Sequence, residues 1–353
     1  MDNRERKYWN IVKGFAVFLM LWGHCIQFCS MGSISCFEDS VFRMIYSFHM
    51  PLFMLVSGYL FFGSCQRHEM KELLVRRTQG MLQPIVFFTV FTNLMMLLPD
   101  YILSDRLDVL FGALFEGISY SFWFLWAVLL ASLVVGFSVK VTENSVLQIL
   151  LMVFGIFFIL LFPQWNESLF MYPFFVGGFF LARYRGKMQN LIYALGWLSV
   201  IIFPLMLPFY DTKHFIYLTP VYAPALELGE SLKLNLFRWG IGFAGSAFLM
   251  QAVVLLIRFS ERMRFPERLL DAIAVVGTHS LQIYCLADVF LSGYLPHIYR
   301  KLMEPFGGNI FAENMLVYKF VFTPLLALVY AVGLYYVTLL LRKVKLHGLL
   351  FGR

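Results

Sequence analysis

Long apolar runs recur from one end of this 353-residue sequence to the other. Each run covers roughly 17 to 25 residues, the length that a helix needs to cross a hydrocarbon core of about 30 Å. A backbone in lipid must satisfy its own polar groups, and helices do so within a single segment. The runs predict an all-α polytopic membrane protein with about ten transmembrane helices, at residues 9–30, 44–62, 81–98, 121–137, 146–162, 168–182, 190–209, 236–257, 270–292 and 316–341.

The composition leaves little room for a separate soluble domain. Hydrophobic residues make up 60% of the chain and charged residues 14%, whereas a soluble domain carries about 25% charged residues. We therefore expect a single transmembrane domain over residues 1–353, with the first apolar run kept as a span because no small-residue cleavage site follows it. No internal repeat is visible in the sequence, so it lacks the inverted-repeat signature of many transporters.

The basic residues indicate membrane orientation rather than nucleic-acid binding. The formal charge is +7, but the lysines and arginines are spread over short loops and are not pooled on one face. Most of the 28 fall in alternate loops and near both ends of the chain, a bias typical of cytoplasmic segments. We expect both termini to be cytoplasmic, and the protein to be integral to a bacterial cytoplasmic (inner) membrane, in contact with its lipids.

The first span, read as KGFAVFLMLWGHC, contains two polar residues that are costly in lipid. Lys13 and His24 are eleven residues apart, about 20° from whole helical turns and about 16 Å along the axis. They are therefore expected on one face at different depths, with Lys13 near the cytoplasmic surface and His24 in the outer half. Snorkelling also explains Lys13, whereas a histidine this deep normally faces a cavity or a partner.

The second span, YSFHMPLFMLVSGYLFFG, places His49 at a depth similar to that of His24 on the next, antiparallel helix. We expect the two imidazoles to face each other across one cavity, where a histidine can exchange a proton with a sugar hydroxyl or carry an acyl group. Pro51 is expected to bend this helix, and Ser57 to take part in helix packing with Gly58. No HxxxH or HxH pattern is present, and we expect no metal.

Two further features have alternative interpretations. Arg76 and Arg77, in KELLVRRTQGMLQP, are ordinary inner-side charges when taken alone. Together with Lys13 they form a group that can receive the phosphates of a nucleotide-bearing donor. The outer loop at about 210–235, with Tyr217 and Tyr222, is either an interfacial anchor or a platform for a sugar-bearing acceptor.

Four segments carry a family resemblance: KGFAVFLMLWGH, FHMPLFMLVSGYL, FWFLWAVLL at 122–130 and VGTHSLQIY at 276–284. On these motifs the chain resembles the acyltransferase-3 family of integral membrane acyltransferases, particularly the branch related to fucose 4-O-acetylases. The resemblance runs from the first span to the ninth. It implies about ten helices, cytoplasmic acetyl-CoA or another acyl-CoA as the donor, and transfer to a hydroxyl of an envelope polysaccharide or its lipid-linked precursor.

The resemblance also assigns roles to single residues. It implies that His24 is the central catalytic residue, that His49 is its partner, and that Lys13 is the first-span cation of a pattern in which ten residues separate cation and histidine. Arg77 matches the first arginine of an Arg-x-x-Arg inner motif, and Arg76 precedes it. The five residues form the predicted site, with His24 and His49 catalytic and the three cations binding the acyl-CoA.

The chain departs from the family pattern at three positions. Gly80 stands where a second arginine is common, Asn10 where aspartate is common, and Asp288 follows Ala287 in the region where many relatives carry a histidine. Two other hypotheses therefore stay open. One is a transporter that moves an acyl or glycan substrate unchanged, since ionisable residues within membranes also mark transport paths. The other is a family member that has lost catalysis and serves as a sensor or partner-binding subunit.

Overall fold

The computed structural model describes residues 2–30, 35–103, 107–224, 226–263, 267–306 and 314–352. Within these ranges the regular structure is helical, without β-strands. The α-helices are α1 (Asn3–Phe28), α2 (Ser40–Arg67), α3 (Met70–Leu103), α4 (Leu107–Tyr120), α5 (Trp123–Val141), α6 (Ser145–Ile159), α7 (Trp165–Tyr184), α8 (Gln189–Met206), α9 (Leu228–Met263), α10 (Glu267–Thr278), α11 (Ser280–Ala287), α12 (Leu295–Met303), α13 (Met315–Val317), α14 (Thr323–Lys343) and α15 (His347–Phe351).

The lengths and hydropathies of these helices identify an integral membrane protein. Among the described residues, six helical stretches are long and apolar enough to cross a membrane, and they contain α1, α2, α5, α8, α9 and α14. The pair α10 and α11, bent by 66°, makes a seventh candidate. Helix α6 is apolar but only 15 residues long. Every predicted span overlaps a helix or this bent pair, and the count of ten and the cytoplasmic termini stay predictions.

Helix α2 lies at the centre of the bundle and packs on α7, α9, α1 and α5. Its backbone touches that of α7 through two glycines. A Cβ on Gly58 would lie 2.0 Å from the Phe175 carbonyl oxygen, and one on Gly178 would lie 1.9 Å from the Leu55 carbonyl oxygen. Small residues at such contacts let membrane helices associate by close backbone packing. The position of α2 relative to α7 is therefore fixed at Gly58 and Gly178.

Helix α1 is held against α10 in the same way. A Cβ on Gly14 would lie 2.2 Å from the Ile273 carbonyl oxygen, and one on Gly277 would lie 1.8 Å from the Asn10 carbonyl oxygen. Because α1 also packs on α2 and α14, its orientation about its own axis is set by three neighbours. This orientation decides where Lys13 and His24 point.

The loop between α8 and α9 folds back over the N-terminal end of α2. Arg238 of α9 is only 1% exposed, and its Nη2 donates to the carbonyl oxygens of Lys213 at 2.6 Å and Thr219 at 2.9 Å. Within the loop, Phe215 stacks on Phe42 of α2 with ring centroids 5.8 Å apart. The buried Arg238 guanidinium thus helps to hold the loop against the bundle, together with Asn166 of α7 and Asn235 of α9, which hydrogen-bond to the backbone of Val221.

Candidate active site

The two histidines that the sequence pairs meet at the ring of Tyr46, one helical turn before His49. The Tyr46 hydroxyl lies 3.4 Å from Nδ1 of His24, and the Tyr46 and His49 ring centroids are 4.7 Å apart. The two imidazoles are also close enough to interact electrostatically. The structure therefore brings His24 and His49 to one place, but with a tyrosine between them that the sequence did not single out.

The hydrogen bonds around these rings indicate which nitrogen of each is available. Nδ1 of His49 lies 2.9 Å from the Ile45 carbonyl oxygen, which can only accept, so Nδ1 carries the proton. The Tyr46 hydroxyl donates to Oε1 of Gln27 at 3.4 Å, so it accepts from Nδ1–H of His24. Both contacts of the hydroxyl are longer than a usual hydrogen bond. In this arrangement both imidazoles present Nε2 as a base.

Contacts with Gly23 and Phe42 position the Tyr46 ring, and Asp39 fixes the start of its helix. A Cβ on Gly23 of α1 would lie 2.7 Å from Cε2 of Tyr46, so the ring lies directly on the glycine. On its own helix, Tyr46 stacks on Phe42 with centroids 3.8 Å apart. Asp39 caps α2 through its side chain and forms an ion pair with Lys319 at 2.6 Å. The start of α2, and with it Tyr46, is therefore tied to both α1 and the segment before α14.

A cavity of about 120 Å³ lies between α1, α2, α5 and α11, and is called the central cavity below. Each of the four segments that carry the family resemblance contributes to its wall. Its lining residues include Lys13 from the first segment, Met50, Phe53 and Ser57 from the second, Phe124, Leu125 and Val128 from the third, and Ser280, Leu281 and Tyr284 from the fourth. Segments far apart in the sequence thus converge on one space.

Ser57 and Gly58, which the sequence places together in a helix-packing contact, lie on two different faces of α2. Gly58 packs on α7, whereas Ser57 lines the central cavity. Neighbouring residues on a helix differ by about 100° in direction, so both cannot face the same helix. The Ser57 hydroxyl is therefore a polar group of the cavity that carries Lys13.

Tyr284 is enclosed by the third motif segment. Its ring centroid lies 6.1 Å from that of Phe122 and 5.8 Å from that of Phe124, both in edge-to-face geometry. Phe122 has a φ of 54°, a left-handed conformation that is costly for a side chain of this size and that recurs at functional sites. The strained turn before α5 thus sets the position of the rings around Tyr284.

Tyr217 reaches the same region from the loop between α8 and α9. It is within electrostatic range of Tyr46 and of Tyr284, and its ring centroid lies 5.9 Å from that of Trp123. Burial raises the pKa of the Tyr217 phenol, although 45% of the residue's surface is accessible. Tyr222, its partner in the predicted platform, is 61% exposed.

His214 and Asp211 shape the same loop. The backbone N–H of Asp211 donates to Nδ1 of His214 at 3.0 Å. Burial lowers the pKa of His214, and the nearby Asp211 carboxylate opposes that shift. Nδ1 of His214 also lies 2.8 Å from Oδ1 of Asp211, so the ring is tied to both the backbone and the side chain of Asp211 and holds the turn that leads to Tyr217.

The two arginines before the third predicted span lie in different environments. Arg76 donates from Nε to Oε1 of Glu72 at 2.8 Å, and its side chain is 64% exposed. The Arg77 guanidinium lies over the Phe61 ring, 4.6 Å from its centroid. Arg77 also precedes by one turn Met81, which lines the central cavity. Arg77 is thus packed into the bundle, whereas Arg76 lies on the exposed side of α3.

Asp288 stands at the start of a π-helical turn, Asp288–Tyr294, that continues α11. Its carboxylate is within electrostatic range of Tyr284, one turn earlier. Such π-turns are often found at functional positions. The sequence marked Asp288 only as a departure from the family pattern, whereas the structure lays it beside the rings around the central cavity.

Among the described residues, no group of three or more His, Cys, Asp or Glu side chains is placed so that it could hold a metal ion.

Comparisons with known proteins agree with the resemblance. The family model for an acyltransferase domain matches residues 6–343. The chain is 25% identical over 203 residues to nodulation protein NolL of Mesorhizobium japonicum, a match that covers 57% of this chain and 54% of that protein. It is 33% identical over 129 residues to nodulation protein NolL of Sinorhizobium fredii, covering 36% of this chain and 35% of that protein.

These matches span about half the length of the first curated relative and about a third of the second. No solved structure matches the chain.

Proposed function

Because the chain belongs to the acyltransferase family, we propose that it is a membrane O-acyltransferase that moves an acetyl group from cytoplasmic acetyl-CoA to a hydroxyl of a cell-surface polysaccharide or its lipid-linked precursor. One observation carries this proposal. The four motif segments meet at the central cavity, which is lined by Lys13, and the first two of them also bring His24 and His49 together at the ring of Tyr46, outside the cavity lining. Ionisable residues inside a membrane bundle are costly and mark functional sites.

The proposed orientation has ten crossings, both termini in the cytoplasm and a single domain in the membrane. It is supported by the bias of basic residues toward alternate loops. It puts Lys13 at the cytoplasmic side and His24 toward the outside, about 16 Å apart along α1. The donor would then enter at Lys13, and the acceptor would arrive beneath the outer loop that carries Tyr217.

Lys13, Arg77 and Arg76 are the proposed ligands of the acyl-CoA phosphates. A lysine and arginines suit this role because charge-assisted hydrogen bonds to phosphate are among the strong ones in proteins. The packing of Arg77 one turn before Met81 supports a direct role for this residue. Arg76, which is paired with Glu72, would contribute mainly at longer range.

His24 is the proposed general base. Its Nε2 takes the proton of the acceptor hydroxyl, the hydroxyl oxygen attacks the thioester carbonyl, and the carbon–sulfur bond breaks. The departing CoA thiolate then takes the proton back from His24, so the ester and free CoA are the products. His49, with Nδ1–H fixed on Ile45, would orient the acceptor through Nε2 or, once protonated, stabilise charge on the carbonyl oxygen. In a covalent route, Nε2 of His24 would instead accept the acyl group first.

The test compares envelope glycans from cells that carry the protein, lack it, or carry His24→Ala, by mass spectrometry and ester-sensitive NMR. We expect the added acyl mass to disappear with His24→Ala while the amount of protein in the membrane is kept. His297→Ala, which removes an exposed histidine outside the site, is the matched control and should acylate normally. Normal acylation by His24→Ala would contradict the assignment, and a transporter would add no acyl group in any variant.

The donor assignment is tested separately with radiolabelled acetyl-CoA and membranes that contain each variant. Lys13→Ala should raise the acetyl-CoA concentration needed for half-maximal transfer more than Lys13→Arg does, because only the second keeps the charge. Arg77→Gln should do so more than Arg76→Gln. Undiminished transfer with both Lys13 variants would remove Lys13 from the donor site.

A further inference from the structure

A second and larger cavity, of about 700 Å³, lies between α8, α9, α7 and the first two helices, and is called the α8 cavity below. Its lining includes Tyr59, Arg185, Ala247, Gln251 and Arg258. Helix α8 packs mainly on α9, and only 11% of its apolar window is buried. The cavity therefore borders the lipid phase.

The polar groups of the α8 cavity include two arginines. Arg185 forms an ion pair with Glu5 and also donates to the Tyr59 hydroxyl at 3.0 Å. Arg258 contacts Tyr193, and among the described residues no carboxylate is paired with it. One guanidinium is thus balanced by a carboxylate, and the other keeps an uncompensated positive charge at the cavity wall.

Gln251 adds an unmet hydrogen-bond donor. It lines the cavity, is only 6% exposed, and its Nε2 has no hydrogen-bond partner. Buried donors in proteins are nearly always paired, so an unpaired one calls for a bound group that accepts. Gln251 precedes Arg258 by seven residues, which is close to two helical turns and about 10 Å of rise, so the two side chains share one face of α9.

We propose that the α8 cavity binds an anionic diacyl phospholipid from the cytoplasmic leaflet. The headgroup phosphate accepts hydrogen bonds from Arg258 and Arg185, a glycerol ester carbonyl accepts from Nε2 of Gln251, and the acyl chains lie along the apolar walls of α8 and α9. A phospholipid has a charged headgroup, then ester groups, then apolar chains. Arg258, Gln251 and the apolar wall follow one another along α9 in the same order. The choice of leaflet rests on the orientation given under the proposed function.

The probe is phosphatidylglycerol added to the full-length protein in detergent, with retention measured by native mass spectrometry. We expect one phosphatidylglycerol to be retained per protein, phosphatidylcholine to be retained less, and inorganic phosphate not at all. Arg258→Gln and Gln251→Leu should each lower phosphatidylglycerol affinity about tenfold, since each removes hydrogen bonds to the lipid. Arg262→Gln, one turn further along α9 and exposed, is the matched control and should bind like the parent protein.

A cavity-filling variant tests whether the acyl chains of the lipid lie in the α8 cavity. Ala247→Phe places a ring in the space that the chains would occupy and should lower retention without changing any charge. Equal retention by Arg258→Gln and Arg262→Gln would overturn the proposal, as would equal binding of phosphatidylcholine or retention of inorganic phosphate alone. Retention of palmitoyl-CoA in place of phosphatidylglycerol would also overturn it and would assign the cavity to an acyl donor. Because binding is read by mass, the outcome is independent of acyl transfer by His24.

Discussion

The Tyr46 hydroxyl of α2 lies 3.4 Å from Nδ1 of His24 in α1. This relationship joins the two helices that carry the strongest sequence motifs. The same hydroxyl lies 3.4 Å from Oε1 of Gln27, and an arrangement in which it donates to Gln27 and accepts from His24 puts the His24 proton on Nδ1. A histidine that acts as a base needs its lone pair on the nitrogen that faces the substrate. A hydrogen-bond acceptor at the other nitrogen keeps the proton there and so leaves that lone pair available. Tyr46 is therefore a positioning residue in the proposed reaction.

Tyr46→Phe should lower the rate of acyl transfer about tenfold, since it removes one hydrogen bond to His24 and keeps the ring. The measurement is the initial rate of glycan acylation at saturating donor. Tyr172→Phe is the matched control, because its hydroxyl also donates within the bundle, to the Met152 carbonyl oxygen at 3.0 Å, but in α7 and away from the histidines. An equal loss in both variants would point to general destabilisation instead.

Gly23→Ala should reduce acylation while the protein is still produced and inserted. The new methyl group would lie 2.7 Å from Cε2 of Tyr46, so the ring must move away from His24. Gly63→Ala, in α2, meets nothing closer than Nη1 of Arg67 at 3.6 Å, an ordinary contact, and should be active. Acylation and membrane abundance are measured side by side. Full activity of Gly23→Ala would show that the Tyr46 position is not critical.

Tyr217→Phe should weaken the use of the acceptor more than the use of the donor. Tyr217, in the loop between α8 and α9, interacts electrostatically with Tyr46 and Tyr284, and in the proposed orientation an acceptor entering from outside would meet it. We expect the acceptor concentration for half-maximal rate to rise several-fold, about the effect of one hydrogen bond. Tyr222→Phe, at an exposed position of the same loop, should leave both values unchanged. A shift confined to the donor would contradict this role.

Arg238→Gln should destabilise the protein by about 3 kcal/mol, since it removes buried, charge-assisted hydrogen bonds to two loop carbonyl groups. The midpoint of thermal unfolding in detergent should fall by several degrees, and the loop at 210–224 should become more sensitive to protease. Lys233→Gln, an exposed position about one turn earlier on α9, provides the comparison and should behave like the parent. Unchanged protease sensitivity in Arg238→Gln would show that other contacts hold the loop.

Much of the helical framework could be predicted from local patterns. The apolar runs predicted the positions of the helices, and one of these runs contains the bent pair of α10 and α11. This was possible because the cost of placing polar groups in lipid acts on each segment by itself. The family resemblance rested on four short motifs and is confirmed by a match over residues 6–343. The pairing of His24 with His49 also followed from depth alone, since sequential antiparallel helices bring residues of equal depth side by side.

The sequence by itself determined that this chain is a helical membrane protein of the acyltransferase family, with a lysine and a histidine in its first apolar run and a second histidine in the next. Only the tertiary structure decided what those residues meet: Tyr46 between the imidazoles, Ser57 in the cavity with Gly58 outside it, Arg77 inward with Arg76 outward, and Tyr217 of the α8–α9 loop near Tyr46 and Tyr284. These outcomes depend on how far each helix is rotated about its axis. That rotation is fixed by backbone contacts such as those of Gly14 with Ile273 and Gly277 with Asn10, between segments too distant in sequence for any local pattern to record.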